Sequence, residues 1–174
     1  GAAGPIAGWL VAIGWLLYGL TQSQVAPITQ LTPFDLPFSL EGESILMRVF
    51  TTWLVGPEQP GYAFLLSEYA FAGWAGLLVT SLNLIPIGQL DGGHILYGLV
   101  GRRQHSIAWV AVAALAVLGF TSPMWWVYAA FGFVFGVKHQ PTLDDARPLD
   151  RVSVIMGVAA LVILVLSFTP MPIR

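Results

Sequence analysis

Few side chains in this sequence can do chemistry, and one of them stands in an unusual place. Asp91 lies in the segment Asn83-Leu84-Ile85-Pro86-Ile87-Gly88-Gln89-Leu90-Asp91-Gly92-Gly93-His94, where proline and glycine interrupt apolar sequence that continues on both sides. A carboxylate inside a membrane costs about 2.5–3.5 kcal/mol on insertion scales, so intramembrane ionisable groups are usually functional. Unwound backbone at that depth is tolerated only inside protein or along a wet cavity. Two roles suit Asp91. It can cap a helix starting at Gly92, accepting amide hydrogen bonds at the positive end of the helix dipole, or it can bind a metal. The roles are compatible, since an aspartate fixed at a helix start is well oriented to hold a cation.

The other possible ligands are sparse. Cysteine is absent, which excludes disulfides and thiolate metal sites and leaves only His, Asp and Glu as protein ligands. The histidines are His94, His105 and His139, no two of them four apart. A catalytic zinc takes three protein ligands plus a water, and a HExxH helix supplies two of them with the general base; this chain has no HExxH. His94 is expected as a hydrogen-bonded or outer-sphere imidazole rather than a ligand, and His105 and His139 as solvated side chains in basic loops. Asp144 and Asp145 read as solvated surface, and Trp125 and Trp126 as interfacial anchors.

These residues must be held by membrane helices. The 174 residues are 56% hydrophobic and 9% charged, against roughly a quarter charged in ordinary soluble domains, and the mean hydropathy is +0.76. The net charge is −2 without a basic run, so nucleic-acid binding has no electrostatic basis. Gly4 to Leu20 predicts a first span. Residues 21–61, with Pro27, Pro33, Pro37, Pro57 and Pro60, predict an extramembrane loop with an interfacial helix near Ser44 to Val55. A second helix is expected from Tyr62 to Leu82, with Ala72 and Gly76 four apart as a close-packing face. It should end at Asn83, and a short helix should resume from Gly92 to Val100.

Ile107 to Phe120 and Trp125 to Val137 predict a helical hairpin turning at Thr121-Ser122-Pro123, either spanning or half-depth. A last span is expected from Val152 to about Phe168. Arg102 and Arg103 in one connection, and Lys138, Arg147 and Arg151 in another, place both loops on the cytoplasmic side, with Asp91 toward that half. The expected fold is therefore all-α: a single-domain, polytopic transmembrane helical bundle over residues 1–174 with one broken helix at Asn83–Gly93.

Asn83, Pro86, Leu90, Asp91 and Gly92 stand in the spacing NxxPxxxLDG, which resembles the second signature of the site-2 protease family of intramembrane zinc metalloproteases. Gly4-Pro5-Ile6-Ala7-Gly8 is similar to the helix that follows the histidine motif in that family, although Gly8 replaces the Asn of many relatives. Pro at a helix start with a glycine pair is also common packing sequence. The tail from Leu143-Asp144-Asp145 to Pro148-Leu149-Asp150 looks like bacterial members, and implies a bacterial cytoplasmic membrane.

The resemblance implies that Asp91 is the third ligand of one zinc ion. It implies that Asn83 lies beside the cleft, holding the unwound substrate or its developing oxyanion, with capping of the preceding helix as the alternative. Pro86, placed in the same substrate-binding motif, is expected to shape the break more than to touch substrate. Gly4, Pro5, Gly92 and Gly93 are structural parts of the two motifs. The expected partners are membrane lipid and a transmembrane protein substrate. The chain starts Gly1-Ala2-Ala3 without Met, which reads as a truncated start with the HExxH helix upstream, so that residues 1–174 alone are inactive. Two other readings remain: a pseudoprotease that binds transmembrane segments without cutting them, and a small transporter with a broken helix, which should repeat the Asn83–Gly93 segment and does not.

Overall fold

The computed structural model describes residues 2–31, 43–135 and 150–171. The elements are α1 (Ala3–Gln22), β1 (Gln24–Pro27), α2 (Ile45–Leu54), β2 (Tyr62–Leu65), α3 (Glu68–Leu84), α4 (Asp91–Val100), α5 (Gln104–Leu118), α6 (Met124–Phe135) and α7 (Arg151–Ser167). His139, Asp144, Asp145, Lys138, Arg147 and most of the tail motif lie outside the described residues.

Helices dominate, as the composition predicts, but the region between the first and second long helices also carries a two-stranded sheet. β1 and β2 pair antiparallel, Val25 opposite Phe64 and Pro27 opposite Tyr62. The second helix therefore starts at Glu68, not Tyr62. A short apolar run cannot by itself be told from a buried strand, and here Ser67 decides the boundary. Its hydroxyl accepts from Ala70 N at 3.1 Å and donates to Gly19 O at 2.7 Å, while its amide donates to Ser23 Oγ at 3.0 Å. One serine caps α3 and ties it to the end of α1. A helix is found near Ser44 to Val55 as expected, α2 being capped by Ser44 with Met47 and Thr51 facing inward.

The α1–α3 pair forms the central packing interface. A β-carbon on Gly19 would overlap the Ala70 backbone and one on Gly73 would overlap Leu16. One on Gly76 would come within 2.9 Å of Ala12 Cβ, one on Gly8 would sit 3.7 Å from Thr80 Oγ1, and one on Gly4 would meet nothing within 4 Å. These contacts make the helices antiparallel; Gly4 and Gly8 lie on the exposed side of α1. Close packing is made by Gly73 and Gly76; Ala72 faces outward, correcting the expected Ala72–Gly76 face.

The α5–α6 hairpin turns at Thr121-Ser122-Pro123 as predicted. Trp126 is 47% exposed and donates from Nε1 to Ala116 O across the hairpin at 2.9 Å. Trp125 is not an interfacial anchor. It is fully buried, stacks on Phe168 with ring centroids 4.9 Å apart and donates from Nε1 to Pro170 O at 2.7 Å, so it fastens the hairpin to the end of α7. Leu99 packs on Gly157 and Ile95 clusters with Ala160 and Ile163. This runs α7 antiparallel to α4 and brings Arg151 to the same end as Arg102 and Arg103.

By length and composition α1 passes the test for a membrane span, and α2, α6 and α7 are shorter apolar helices. Many outward side chains of α5, α6 and α7 are apolar, including Val110, Val117, Phe133, Val134 and Val165, so these three helices lack the polar outer face of a soluble amphipathic helix.

Two predictions follow from this packing. Gly73→Ala should cost about 1–3 kcal/mol by forcing the helices apart. Gly4→Ala, in open space, should cost nothing and gain up to about 1 kcal/mol of helix propensity; thermal unfolding of the two variants in detergent checks the opposite signs. Just before α2, Glu43 accepts from Trp74 Nε1 at 2.9 Å. Burial pushes its pKa from 4.5 up to about 7, against a smaller lowering by the Trp74 hydrogen bond. The folded state thus favours the protonated acid, and the stability it contributes is present below pH 4.5 and lost as pH rises through about 7. The unfolding midpoint should fall across that window, and Glu43→Gln should flatten the slope.

Candidate metal centre

The site is built on backbone. α3 ends at Leu84 and α4 starts at Asp91, leaving Ile85–Leu90 unwound. Pro86 cannot donate an amide, and its ring disfavours helix in the residue before it; Ile85 is accordingly extended, with ψ 131°. Short turns satisfy the gap: Ile87 N donates to Ile85 O at 2.7 Å, Leu90 N to Ile87 O at 2.9 Å and His94 N to Leu90 O at 3.2 Å. Gly88 has a positive φ of 25°.

Apolar anchors hold the break from two sides. Ile85 and Ile87 are buried among Ala108, Val112 and Leu115 of α5 and Trp125 and Ala129 of α6, while Leu84 packs with Ile95, Ala160 and Ile163. Ile85, Ile87 and Gly88 of the unwound stretch are thus buried in protein, while Gln89 is exposed.

Gly92 and Gly93 set where Asp91 stands. A β-carbon on Gly92 would overlap the Leu84 carbonyl, and one on Gly93 would lie 2.6 Å from Gly88 O. Only glycine lets the first turn of α4 seat directly on the carbonyls of the break.

Asp91 does not cap that helix. It is the first helical residue, the N-cap position is Leu90 and no side-chain cap bond forms. The carboxylate is half-buried at the positive end of α4, where negative charge is favoured, and no hydrogen bond or ion pair engages it among the described residues. Asn83 is exposed in the last turn of α3 and Pro86 is half-buried. No hydrogen bond of the Asn83 side chain is formed among the described residues, so its alternative role as a cap gains no support. Extending the Gly8–Thr80 pairing of α1 and α3 by one turn brings Gly4 and Pro5 level with Asn83 and Leu84. Pro5 is buried and Gly4 opens on empty space, so the start of α1 adjoins the break.

The resemblance implies that the donors here are one part of a zinc site. Asp91 suits the role of a single oxygen ligand, since its carboxylate is partly exposed and unengaged among the described residues. No group of three or more His, Cys, Asp or Glu side chains is assembled among the described residues. His94, exposed one turn further along α4, has interactions of its own.

Sequence reasoning missed a cleft of about 260 Å³ beside His94. One wall is His94, Ile95, Gly98 and Leu99 of α4; Ser153, Met156 and Gly157 of α7 form the other, and the start of α1 closes it. No local motif reveals small and apolar residues that meet only through folding.

Gly92→Ala is expected to destabilise by about 1–3 kcal/mol through overpacking against backbone and to displace Asp91. Thermal unfolding together with the zinc content of the full-length protein checks it; an unchanged midpoint and unchanged zinc would show that α4 is not seated on the Leu84 carbonyl.

Residues 1–124 match Peptidase family M50. The chain is 29% identical over 175 residues to "Probable zinc metalloprotease EGY2, chloroplastic" of Arabidopsis thaliana, covering 98% of this chain and 31% of that protein. It is 36% identical over 107 residues to "Probable zinc metalloprotease EGY3, chloroplastic" of Oryza sativa subsp. indica, covering 58% of this chain and 18% of that protein. "Probable zinc metalloprotease EGY1, chloroplastic" of Arabidopsis thaliana is 26% identical over 178 residues, covering 97% and 31%. The chain thus spans about a third or less of the length of these relatives. No solved structure matches it. With the family's aspartate motif folded as a glycine-seated helix break and most of the chain matched, the chain belongs to peptidase family M50, the site-2 protease family.

Proposed function

We propose that this chain is the aspartate-bearing part of a multi-pass intramembrane zinc protease that hydrolyses peptide bonds of membrane-embedded substrates. The observation that carries the reading is the unengaged Asp91 carboxylate at the start of α4, fixed by Gly92 and Gly93 against the break. Names of the relatives that include zinc metalloprotease support the metal, and apolar outer faces on α5, α6 and α7 support several spans. The relatives are named as chloroplastic plant proteins, so placement in a bacterial cytoplasmic membrane rests on the resemblance of the tail alone.

In this reading Asp91 holds one zinc ion with ligands from outside residues 1–174, and the chain alone is inactive. A bound zinc lowers the pKa of its water to about 7, making a nucleophile at neutral pH. This chain's residues orient and exclude. Gly92 and Gly93 fix the carboxylate, Ile85 and Ile87 anchor the gap, Pro86 keeps it unwound, and Asn83 lies exposed to hold the substrate backbone. The rival is a pseudoprotease that binds transmembrane segments without cutting them.

Full-length protein and its Asp91→Asn variant separate the readings. Loss of bound zinc and of peptide hydrolysis beyond the about 10–100-fold typical of removing an outer-sphere partner is the expected result. Zinc content unaffected by the substitution sinks the ligand assignment, and zinc binding without cleavage favours the pseudoprotease.

A further inference from the structure

Asp91 and the α4 wall of the cleft share one helical stripe. His94 and Ile95 stand three and four residues after Asp91, and Gly98 stands seven after it, spacings that return to the same face. The cleft therefore begins one turn below the carboxylate and continues along the same side of α4. At about 1.5 Å rise per residue its centre lies about 6–10 Å along the helix from Asp91. An extended chain covers that distance in two or three residues at about 3.3 Å each.

We propose that this cleft is a specificity pocket for the substrate, receiving a bulky apolar side chain two or three residues from the bond that is cut. The inference rests on the protease reading above and goes beyond it by assigning a substrate subsite that includes α7. Three observations carry it. The walls are largely apolar, with His94 and Ser153 as polar groups, a composition suited to an apolar side chain with a few groups that orient it. The volume is about 260 Å³, and a dry cavity of about 150 Å³ already holds benzene, so a leucine or phenylalanine side chain fits. Gly98 leaves the wall without a side chain, while Met156, unbranched and polarizable, adapts to different occupants. No Asp or Glu among the described residues lines the cleft, so a cationic side chain would meet no counter-charge there and be disfavoured.

Photocrosslinking tests this without requiring turnover. The full-length protein carrying Asp91→Asn is placed in phosphatidylcholine vesicles with an apolar single-span peptide containing a central Asn-Gly break. A benzophenone-bearing residue occupies each peptide position in turn, and mass spectrometry maps the crosslinks. Positions two or three from one peptide bond should crosslink to Met156 or Leu99. Gly98→Leu, which fills an exposed gap in the wall, should lower that yield more than fivefold, while crosslinks elsewhere persist and show that the variant is folded. Crosslinks that avoid α4 and α7, or a yield unchanged by Gly98→Leu, overturn the pocket. A cleft occupied by another segment of the full-length protein would give the first of these results. Cleavage by the Asp91-containing protein is scored separately. Its absence counts against the protease reading, whereas the crosslink map decides the pocket.

Discussion

The contact between the first turn of α4 and the carbonyls of Leu84 and Gly88 governs the geometry of this protein. Backbone meets backbone there because Gly92 and Gly93 have no β-carbon, and any larger residue at Gly92 would strike the Leu84 carbonyl. That seating fixes the start of α4, and with it the position of a carboxylate that has no hydrogen-bonding partner of its own among the described residues. An unengaged acid held by rigid backbone is a suitable metal ligand, since its lone pairs are not committed elsewhere and little further ordering is needed on binding.

The surrounding elements keep the break in place rather than contribute reactive groups. Ile85 and Ile87 point into the α5–α6 hairpin, which Trp125 fastens to the end of α7. Leu84 and Ile95 point the other way, toward α7. The α1–α3 pair is tight where Gly19 meets Ala70, at the end that carries the sheet and α2, and near the break Ile6 and Trp9 of α1 pack against the cluster that holds Leu84.

Most of the helical content was legible in the residues. Long apolar runs, the Thr121-Ser122-Pro123 turn, the Ser44 cap and the Pro86–Gly88 interruption each act locally, and each was found close to its expected place. Where reading went astray, tertiary contacts had decided. Tyr62–Leu65 is strand because β1 was available to pair with it. Ala72 faces outward because Gly73 and Gly76 made the closer approach to α1. Trp125 is buried because the chain after α7 supplied a carbonyl for its indole, and Asp91 leaves its amides uncapped because Leu90 occupies the N-cap.

The sequence by itself determined that helices dominate, where the helix breaks, and that Asp91 with its family motif is the residue to watch, because composition, proline, glycine and motif spacing are properties of neighbours along the chain. Only the tertiary structure decided that Asp91 is half-buried and unengaged among the described residues, that the start of α1 comes level with the break, and that α7 forms a wall of a cleft beside His94. Those outcomes depend on how far apart helices from distant parts of the chain come to rest. That distance is set by which side chains meet, and no local spacing encodes it.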